Sequence, residues 1–305
     1  MKSPLRRPVR WARACALLLL ALAGVAVRAE LATPSPEAAW ARALLATHLR
    51  LGGQLERSRF GRPLLLDSAE REGGLQGDIH AVLDHSLAEV RAALTSPAHW
   101  CELLSLHVNN RRCRVSKAQQ GGDMLTLSVV RRYDMPVEDA FELSFVYRVA
   151  SAARGQLAVD MAAASGPLGT SNYRVLIEAV ALGERKTFVH FSYAYDHNTM
   201  VRLATQAYLA TFGSDKVGFT VVGKQADGQP TYIAGLRGLV ERNAMRYFLA
   251  LDTYLASPAP GQFERRLVRW FESTEKYPRQ LHEVELASYL ELMRADRRRD
   301  AAPTR

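Results

Sequence analysis

Cysteine is scarce in this chain of 305 residues, which contains only Cys15, Cys101 and Cys113. Long apolar runs are scarce as well, because the most extended one, residues 15–27, falls short of the roughly 20 residues that a membrane-spanning helix needs. No glycine-rich phosphate loop follows a predicted strand, and no basic face with interleaved aromatic residues is present. These absences argue against a membrane-spanning helix, a phosphate cradle and a nucleic-acid interface.

The first 29 residues have the pattern of a secretory signal peptide. A basic start without acidic residues precedes the apolar run 15–27, and the small-residue motif Val27-Arg28-Ala29 follows it. The basic residues of the start are Lys2, Arg6, Arg7, Arg10 and Arg13. We therefore expect cleavage near Ala29 and a mature protein that is periplasmic or secreted.

Most of the net charge of +9 belongs to the two ends of the chain. Six of the 40 basic residues and none of the 31 acidic residues lie in residues 1–29, so residues 30–305 carry a formal charge of +3. The arginines between Arg294 and Arg305 account for that excess. We interpret this stretch as a solvated basic tail, and we expect no nucleic-acid partner.

Two cysteines remain after the expected cleavage, Cys101 and Cys113. An even count in an oxidising compartment favours one disulfide between them. Two free thiols are an alternative. A metal site with His107 is another, but the spacing matches no known zinc pattern and a fourth ligand is missing.

Helical patterns occupy the two ends of the predicted domain. We predict helices over Pro36 to Leu51 and over Leu87 to Leu94, the second capped by Ser86. A broad apolar stripe predicts a long amphipathic helix over Leu236 to Leu255. The further predicted helices are Thr199 to Phe212, Phe263 to Tyr277 and Leu281 to Arg297.

Between these helices, alternating apolar residues predict an antiparallel sheet with one buried face. A first strand is predicted over Gln76 to Asp84, after a polar link that contains Gly73-Gly74. Further strands follow between Leu125 and Tyr195. A short hairpin is predicted from Phe219 to Ala234, around Asp227-Gly228.

This order of strand, helix, antiparallel strands and long helix resembles the START-like (helix-grip, SRPBCC-type) superfamily. The stretch Asp78 to Val90 is similar to the opening strand, turn and helix of that group, and Trp100 follows where an aromatic residue commonly lies. The stretches Gly166 to Arg174 and Lys216 to Lys224 resemble secreted bacterial members with no assigned role. The resemblance implies an α+β helix-grip fold, a curved antiparallel sheet gripping a long C-terminal helix with extra helices at both ends.

We accordingly predict four segments. Residues 1–29 form the signal peptide and residues 30–75 an N-terminal helix and linker. Residues 76–257 form the START-like domain, and residues 258–305 form a C-terminal helical extension with the basic tail.

A curved sheet closed by one helix leaves an internal space unless large side chains fill it. START-like proteins commonly hold lipids and other apolar molecules there, so the resemblance implies a binding or carrier protein for such a ligand, without a cofactor or a metal. The candidate ligand-binding residues are Arg131, Tyr133, Tyr147, Tyr173, Tyr193, Tyr195, Asn243 and Tyr247. Arg131 shares the inward parity of its strand and needs a partner, which is a ligand carboxylate or phosphate, an acidic neighbour, or water at a strand end. The tyrosines line the ligand or are ordinary core.

Two other functions compete with this hypothesis. A non-catalytic structural or interaction protein would have a filled core and would use Phe263 to Arg297 as its contact surface. Alternatively, these helices pack on the sheet domain, or they lie on an anionic membrane surface and help a carrier to load or unload there. A cavity enzyme of hydrolase or cyclase type would need its titratable groups to converge. There are three candidate groups. The first is His190, Asp196 and His197, the second is His80, Asp84 and His85, and the third is the pair Ser214 and Lys216. A ligand-binding protein predicts a cavity of about 300 Å³ or more.

Overall fold

The computed structural model of the protein describes residues 36–71, 73–119, 121–153, 155–200, 202–203 and 216–301. The expected signal peptide, most of the predicted helix Thr199 to Phe212, and Ser214 lie outside the described residues. The described helices are α1 (Pro36–Glu56), α2 (Leu87–Leu94), α3 (Pro97–Leu104), α4 (Gly235–Ala256), α5 (Phe263–Thr274), α6 (Pro278–Leu281) and α7 (Leu286–Ala301). The described strands are β1 (Leu64–Arg71), β2 (Gly74–Leu83), β3 (Asn110–Lys117), β4 (Asp123–Val129), β5 (Phe141–Ser151), β6 (Gln156–Ser165), β7 (Thr170–Ala181), β8 (Thr187–His197), β9 (Val221–Lys224) and β10 (Pro230–Tyr232). None of the described helices is long and apolar enough to cross a membrane.

Eight strands form one antiparallel sheet, in the order β1-β2-β8-β7-β6-β5-β4-β3. Helix α4 lies on its inner face and contacts β1, β2 and β8. Gly77 permits the close approach of α4 to β2, because a Cβ atom there would lie 3.1 Å from the Cβ of Ala244 and 3.3 Å from the carbonyl oxygen of Val240. The predicted α+β helix-grip architecture is confirmed.

Alternation along each strand determines which face of the sheet is buried. In β5, Leu143, Phe145 and Tyr147 are buried, whereas the intervening Ser144 and Val146 are exposed. The inner face joins α4 in the main hydrophobic core.

Helix α1 covers part of the outer face of the sheet. Leu44, Leu51 and Leu55 of α1 form a second buried cluster with Val180 of β7 and Phe188 of β8. The helix extends five residues beyond the predicted end at Leu51. Both faces of the sheet are therefore covered at this end.

Helix α2 begins and ends where the sequence predicts. Ser86 accepts a hydrogen bond from the main-chain nitrogen of Glu89, and the Glu89 carboxylate accepts one from the main-chain nitrogen of Ser86. This reciprocal pair is a capping box, which satisfies two main-chain donors at the helix start.

The structure corrects the predicted element boundaries in four places. The sheet begins at Leu64, not at Gln76, because β1 lies in the stretch interpreted as a polar link. Strand β3 was not predicted. Pro97 opens a new helix, α3, as proline can at a first helical position. The predicted helix from Leu281 to Arg297 is divided between α6 and α7.

The C-terminal helices belong to the main core. Trp270, Leu281, Tyr289 and Met293 are buried in the same cluster as the sheet. The Tyr289 hydroxyl donates to the carbonyl oxygen of Leu106 at 2.8 Å. Of the alternatives for these helices, the structure therefore shows the one in which their apolar faces pack on the sheet domain and do not form an exposed contact surface.

Two arginines of the predicted basic tail form ion pairs within the protein. Arg294 binds Glu264 at 2.7 Å, and Arg299 binds Asp296 at 2.6 Å. Asp296 also accepts two hydrogen bonds from the buried guanidinium of Arg111 on β3. This part of α7 is a docked helix, whose Asp296 is buried while Arg294, Arg297 and Arg298 are exposed to solvent.

The stretch Lys216 to Lys224 wraps around a buried carboxylate on α4. Glu241 is fully buried and accepts hydrogen bonds from the main-chain nitrogens of Phe219 and Thr220 at 2.6 and 2.8 Å. The hydroxyls of Ser68 and Thr220 each donate to it at 2.7 Å. Gly218 is required here, because a Cβ atom would lie 2.6 Å from Glu241 Oε2.

A disulfide joins Cys101 on α3 to Cys113 on β3, with Cα atoms 5.3 Å apart. The predicted pairing is confirmed. It ties α3 to the β3 edge of the sheet.

We expect the double substitution Cys101→Ala and Cys113→Ala to lower the free energy of unfolding by about 3 kcal/mol, because a cross-link of this loop length removes conformational entropy from the unfolded chain. Urea denaturation of the variant and of the wild type measures the difference. Reduced wild-type protein is the control for the loss of packing at the two sites. Equal stability of reduced and oxidised wild type would contradict the expectation.

Candidate functional site

An enclosed cavity of about 20 Å³ lies between the inner face of the sheet and α4. Helix α3, strands β4 to β8 and α4 supply its walls. The lining residues are Trp100, Leu103, Leu104, Leu127, Leu143, Phe145, Met161, Val175, Ile177, Phe191, Tyr193, Tyr247 and Leu251. The cavity is apolar except for two tyrosines, and its volume suffices for about one water molecule.

The two lining tyrosines come from opposite layers of the fold. Tyr193 on β8 and Tyr247 on α4 have ring centroids 5.6 Å apart. Both rings line the cavity, one from the sheet and one from α4.

Burial determines the protonation of these tyrosines. Burial raises the pKa of Tyr193 well above its ordinary value. A hydrogen bond with the Asn243 side chain lowers this pKa, but by a smaller amount. Burial also raises the pKa of Tyr247, opposed by the Asn110 side chain. Both hydroxyls therefore keep their protons at neutral pH and can donate hydrogen bonds, but they cannot serve as general bases.

The other predicted tyrosines have partners inside the protein. The Tyr147 hydroxyl donates to the carbonyl oxygen of Leu94 at 2.7 Å. Tyr173 shares a hydrogen bond of 2.8 Å with Thr170 and stacks on Tyr195 at 5.1 Å. Burial raises the pKa of Tyr147 and of Tyr173 to about 12. These three tyrosines extend the aromatic core beside the cavity.

The predicted inward direction of Arg131 is wrong. Strand β4 ends at Val129, and the next residue, Val130, is buried, so the alternation breaks before Arg131. Arg131 is exposed in the turn that follows. Tyr133 lies in the same turn and packs against the core from its margin.

The buried arginines of the fold lie elsewhere, on α4. Arg242 and Arg246 both donate to Glu283 at 2.5 Å, and Lys216 lies 3.5 Å from the same carboxylate. Burial opposes the charge of Glu283, but Arg246 and Arg242 outweigh it and lower the pKa of Glu283 to about 2. This ion cluster joins α4 to the segment between α6 and α7.

His107 and Asn110 both lie next to the Tyr247 side chain. The His107 ring is 5.7 Å from the Tyr247 ring, and burial, followed by the Arg246 charge, lowers the pKa of His107 to about 3. The Asn110 amide nitrogen donates to the carbonyl oxygen of Leu104 at 2.8 Å. Sequence reasoning missed Asn110 because β3 was not predicted; its only signal was the nearby cysteine pair.

A separate polar cluster lies on the outer face of the sheet, as the outward parity of His190 predicted. His190 is 2.9 Å from Asp78 and 3.0 Å from Glu178. Burial opposes its charge, but the hydrogen bonds with Asp78 and Glu178 outweigh it and raise the pKa of His190 to about 9. His80 stacks on His190 at 4.6 Å, and burial, then the His190 charge, lowers the pKa of His80 to about 4.

The remaining titratable candidates do not join this cluster. Asp196 accepts a hydrogen bond from Asn172 at 2.7 Å, and Asp84 lies at the surface near Lys186. In the part of the chain that the structure describes, no group of three or more His, Cys, Asp or Glu side chains is arranged to hold a metal ion.

Comparison with known proteins gives a likeness to solved structures only. No family model matches the chain, and no curated protein matches it. Human StAR-related lipid transfer protein 5 is 13% identical, with coverage of 55% of this chain and 87% of that chain and a TM-score of 0.30. Norcoclaurine synthase from Thalictrum flavum is 16% identical, with coverages of 47% and 83% and a TM-score of 0.32. A conserved protein from Geobacillus kaustophilus is 12% identical, with coverages of 59% and 95% and a TM-score of 0.34. At such identities and TM-scores, no residue's role is carried from these proteins to this chain.

Proposed function

We propose that this protein binds a small, largely apolar molecule between the inner face of its sheet and α4. The observation that supports the proposal is the composition of the interior. An ordinary core is filled with apolar side chains, whereas here Tyr193 and Tyr247 both line an apolar cavity, with the Asn243 side chain hydrogen-bonded to Tyr193. A few convergent polar groups in an apolar pocket are typical of a ligand site.

The cavity volume sets the conditions for binding. A drug-sized ligand needs about 300 Å³ or more, and the enclosed cavity has about 20 Å³. The ligand must therefore displace wall side chains or move α3 away from the sheet. Met161 in the wall is unbranched and adapts readily to such a change.

The small volume equally supports a second candidate, an interaction protein with a filled core. Its contact surface cannot be the apolar faces of α5 and α7, since these pack inward. The two candidates predict opposite results for ligand uptake.

We further propose that the protein acts in the periplasm or outside the cell. The signal-peptide pattern of residues 1–29 supports this location. The disulfide between Cys101 and Cys113 is also typical of an oxidising compartment.

The test begins with native mass spectrometry of the protein expressed with export to the periplasm, followed by organic extraction. We expect a stoichiometric apolar molecule, or its uptake from a lipid extract of the host. A protein that stays ligand-free in both conditions would support the filled-core candidate.

Leu143→Trp places a larger side chain in the cavity wall and is expected to weaken uptake of the identified ligand at least about tenfold, at a cost in stability of about 1–3 kcal/mol. Val146→Trp is the matched control, because Val146 lies on the same strand but is 51% exposed on the outer face. Uptake is measured by titration under native mass spectrometry, with circular dichroism to confirm folding. Equal uptake by Leu143→Trp and Val146→Trp would place the ligand outside this cavity.

A further inference from the structure

An open groove of about 480 Å³ runs along the outer edge of β1. Strand β1 is an outermost strand of the sheet, with β2 on one side and no described strand on the other. Each residue from Leu64 to Asp67 lines the groove. Because side chains alternate between the two faces of a strand, four consecutive residues line one groove only where the groove follows the main chain. Arg57, Arg59 and Phe60 also line this site, which we call the edge groove.

The register of β1 determines which main-chain groups face the edge groove. The main-chain nitrogen of Val82 donates to the carbonyl oxygen of Pro63 at 2.9 Å, at the position that continues the pairing of β1 with β2. Hydrogen-bonded positions alternate along an antiparallel pair. The main-chain groups of Leu65 therefore face β2, whereas those of Leu66 face the groove.

The edge positions on either side of Leu66 are already bonded within the protein. The carbonyl oxygen of Leu64 accepts the Ser58 hydroxyl at 2.5 Å. Ser68 donates its N–H to the preceding carboxylate, and its carbonyl oxygen accepts from Arg237, both at 2.8 Å. The N–H and C=O of Leu66 have no hydrogen bond in the described part of the chain. One residue of an extended peptide pairs with such a donor and acceptor on a single edge residue.

The charge of the edge groove is positive. Arg57 and Arg59 are exposed, and neither forms an ion pair among the residues that the structure describes. The guanidinium of Arg59 lies 5.1 Å from the centre of the Phe60 ring. Asp67 is the one acidic residue among those that line the groove, and its Oδ1 accepts the Ser68 N–H. Two guanidiniums against one carboxylate attract an anionic partner.

We infer that the edge groove binds an extended peptide segment that carries acidic side chains. One residue of the peptide pairs with Leu66 through two main-chain hydrogen bonds, while its carboxylates lie at Arg57 and Arg59 and an apolar side chain contacts Phe60. An anionic amphiphile has no N–H to donate to the carbonyl oxygen of Leu66, so the donor and acceptor of Leu66 favour a peptide. This interaction goes beyond the interior ligand site and does not depend on it.

The probe is the peptide Val-Glu-Val-Glu-Val with an N-terminal fluorescein and a C-terminal amide. Its length suits the groove, because four extended residues of β1 span about 13 Å. Fluorescence anisotropy is expected to show saturable binding. The peptide Val-Lys-Val-Lys-Val has the opposite charge and is expected to bind at least about tenfold more weakly.

N-methylation of the probe tests the main-chain pairing. In an extended peptide, the N–H groups of alternate residues point to the same side. One peptide is methylated at its Glu nitrogens and another at its Val nitrogens. Methylation of the set that faces β1 is expected to weaken binding at least about tenfold, whereas methylation of the other set is expected to change it by less than about twofold.

Charge reversal in the protein tests the arginines. Arg57→Glu combined with Arg59→Glu is expected to weaken binding at least about tenfold. The matched control is Arg265→Glu combined with Arg269→Glu, an equal change of charge at two exposed arginines of α5 that do not line the groove. The control is expected to stay within about twofold of the wild type. Melting curves show whether each variant is folded.

Amide hydrogen exchange locates the bound peptide. In the free protein, the N–H of Leu66 is expected to exchange faster than that of Leu65, which faces β2. With the peptide bound, exchange at Leu66 is expected to slow at least about tenfold.

Several results would overturn the inference. They are a lack of saturable binding, equal effects of the two methylation patterns, and unchanged exchange at Leu66. Tighter binding of dodecanoate than of the peptide, without protection of Leu66, would assign the groove to an anionic amphiphile instead. Leu143→Trp is expected to bind the peptide as the wild type does, which separates failure here from failure of the interior site. Weaker peptide binding by folded Leu143→Trp would place the peptide in the interior and would contradict the edge groove.

Discussion

Replacing Glu241 with alanine is expected to lower the free energy of unfolding by about 4 kcal/mol. The carboxylate is fully buried and accepts four hydrogen bonds, two from main-chain nitrogens and two from hydroxyls. Alanine cannot accept any of them. Phe219 is only 3% exposed, so its main-chain nitrogen would be left as a buried donor without an acceptor, and that cost adds to the cost of the lost volume.

Urea denaturation followed by circular dichroism measures this loss. Glu285→Ala is the control, because the Glu285 side chain is 84% exposed, and its effect is expected to stay within about 0.5 kcal/mol. Glu241→Gln keeps one acceptor oxygen and should lie between the two. A loss below about 1 kcal/mol in Glu241→Ala would show that the segment Val217 to Thr220 does not depend on this carboxylate.

Acidification from pH 6.5 to pH 4 is expected to cost about 3–5 kcal/mol of stability. The pKa of His107 is lowered to about 3 by burial and by Arg246, and that of His80 to about 4 by burial and by His190. Below pH 6.5, both imidazoles take up a proton in the unfolded chain, whereas they stay neutral in the folded protein. Their contribution to stability is therefore complete above pH 6.5 and is lost as the pH falls.

His190 acts in the opposite direction. Its pKa is raised to about 9, so its contribution is complete below pH 6.5 and is lost as the pH rises toward 9. We therefore expect greatest stability near pH 6.5.

Urea denaturation at pH 4, 5.5, 6.5, 8 and 9 tests the pH profile. In His107→Asn, the acid loss should be smaller than in wild type, because one titrating group is gone. Stability that does not change between pH 6.5 and pH 4 would contradict the assignment of these buried neutral histidines.

The core strands could be predicted because apolar and polar residues alternate along them, so that one face is apolar and the other polar. In β5 the alternation from Phe141 to Val149 needs no tertiary information, and in α2 the cap residues Ser86 and Glu89 are sequence neighbours. Strand β3 could not be predicted in this way. Its first residues, Asn110 and Arg111, are polar yet buried, because α7 and the end of α3 cover them.

The candidate site shows the same limit. Tyr193 and Tyr247 follow from periodicity, since each lies on the buried face of a regular element. Arg131 was placed wrongly because a strand end is not visible in the alternation itself. Asn110 and the lining residues of α3 depend on packing between segments that are distant in sequence.

The shared core of the sheet and the C-terminal helices has a consequence for when the protein can fold. The Tyr289 hydroxyl reaches Leu106, Arg111 reaches Asp296, and Arg62 of the loop before β1 pairs with Asp252 at 2.8 Å. Each contact joins residues more than 180 positions apart. A chain that emerges from its N-terminus cannot complete this core until α7 has emerged, and contacts of such long range make folding slow. Until then, the growing chain leaves uncovered the residues beside α3 and at the start of β3 that α7 contacts in the folded protein, among them Leu106 and Arg111.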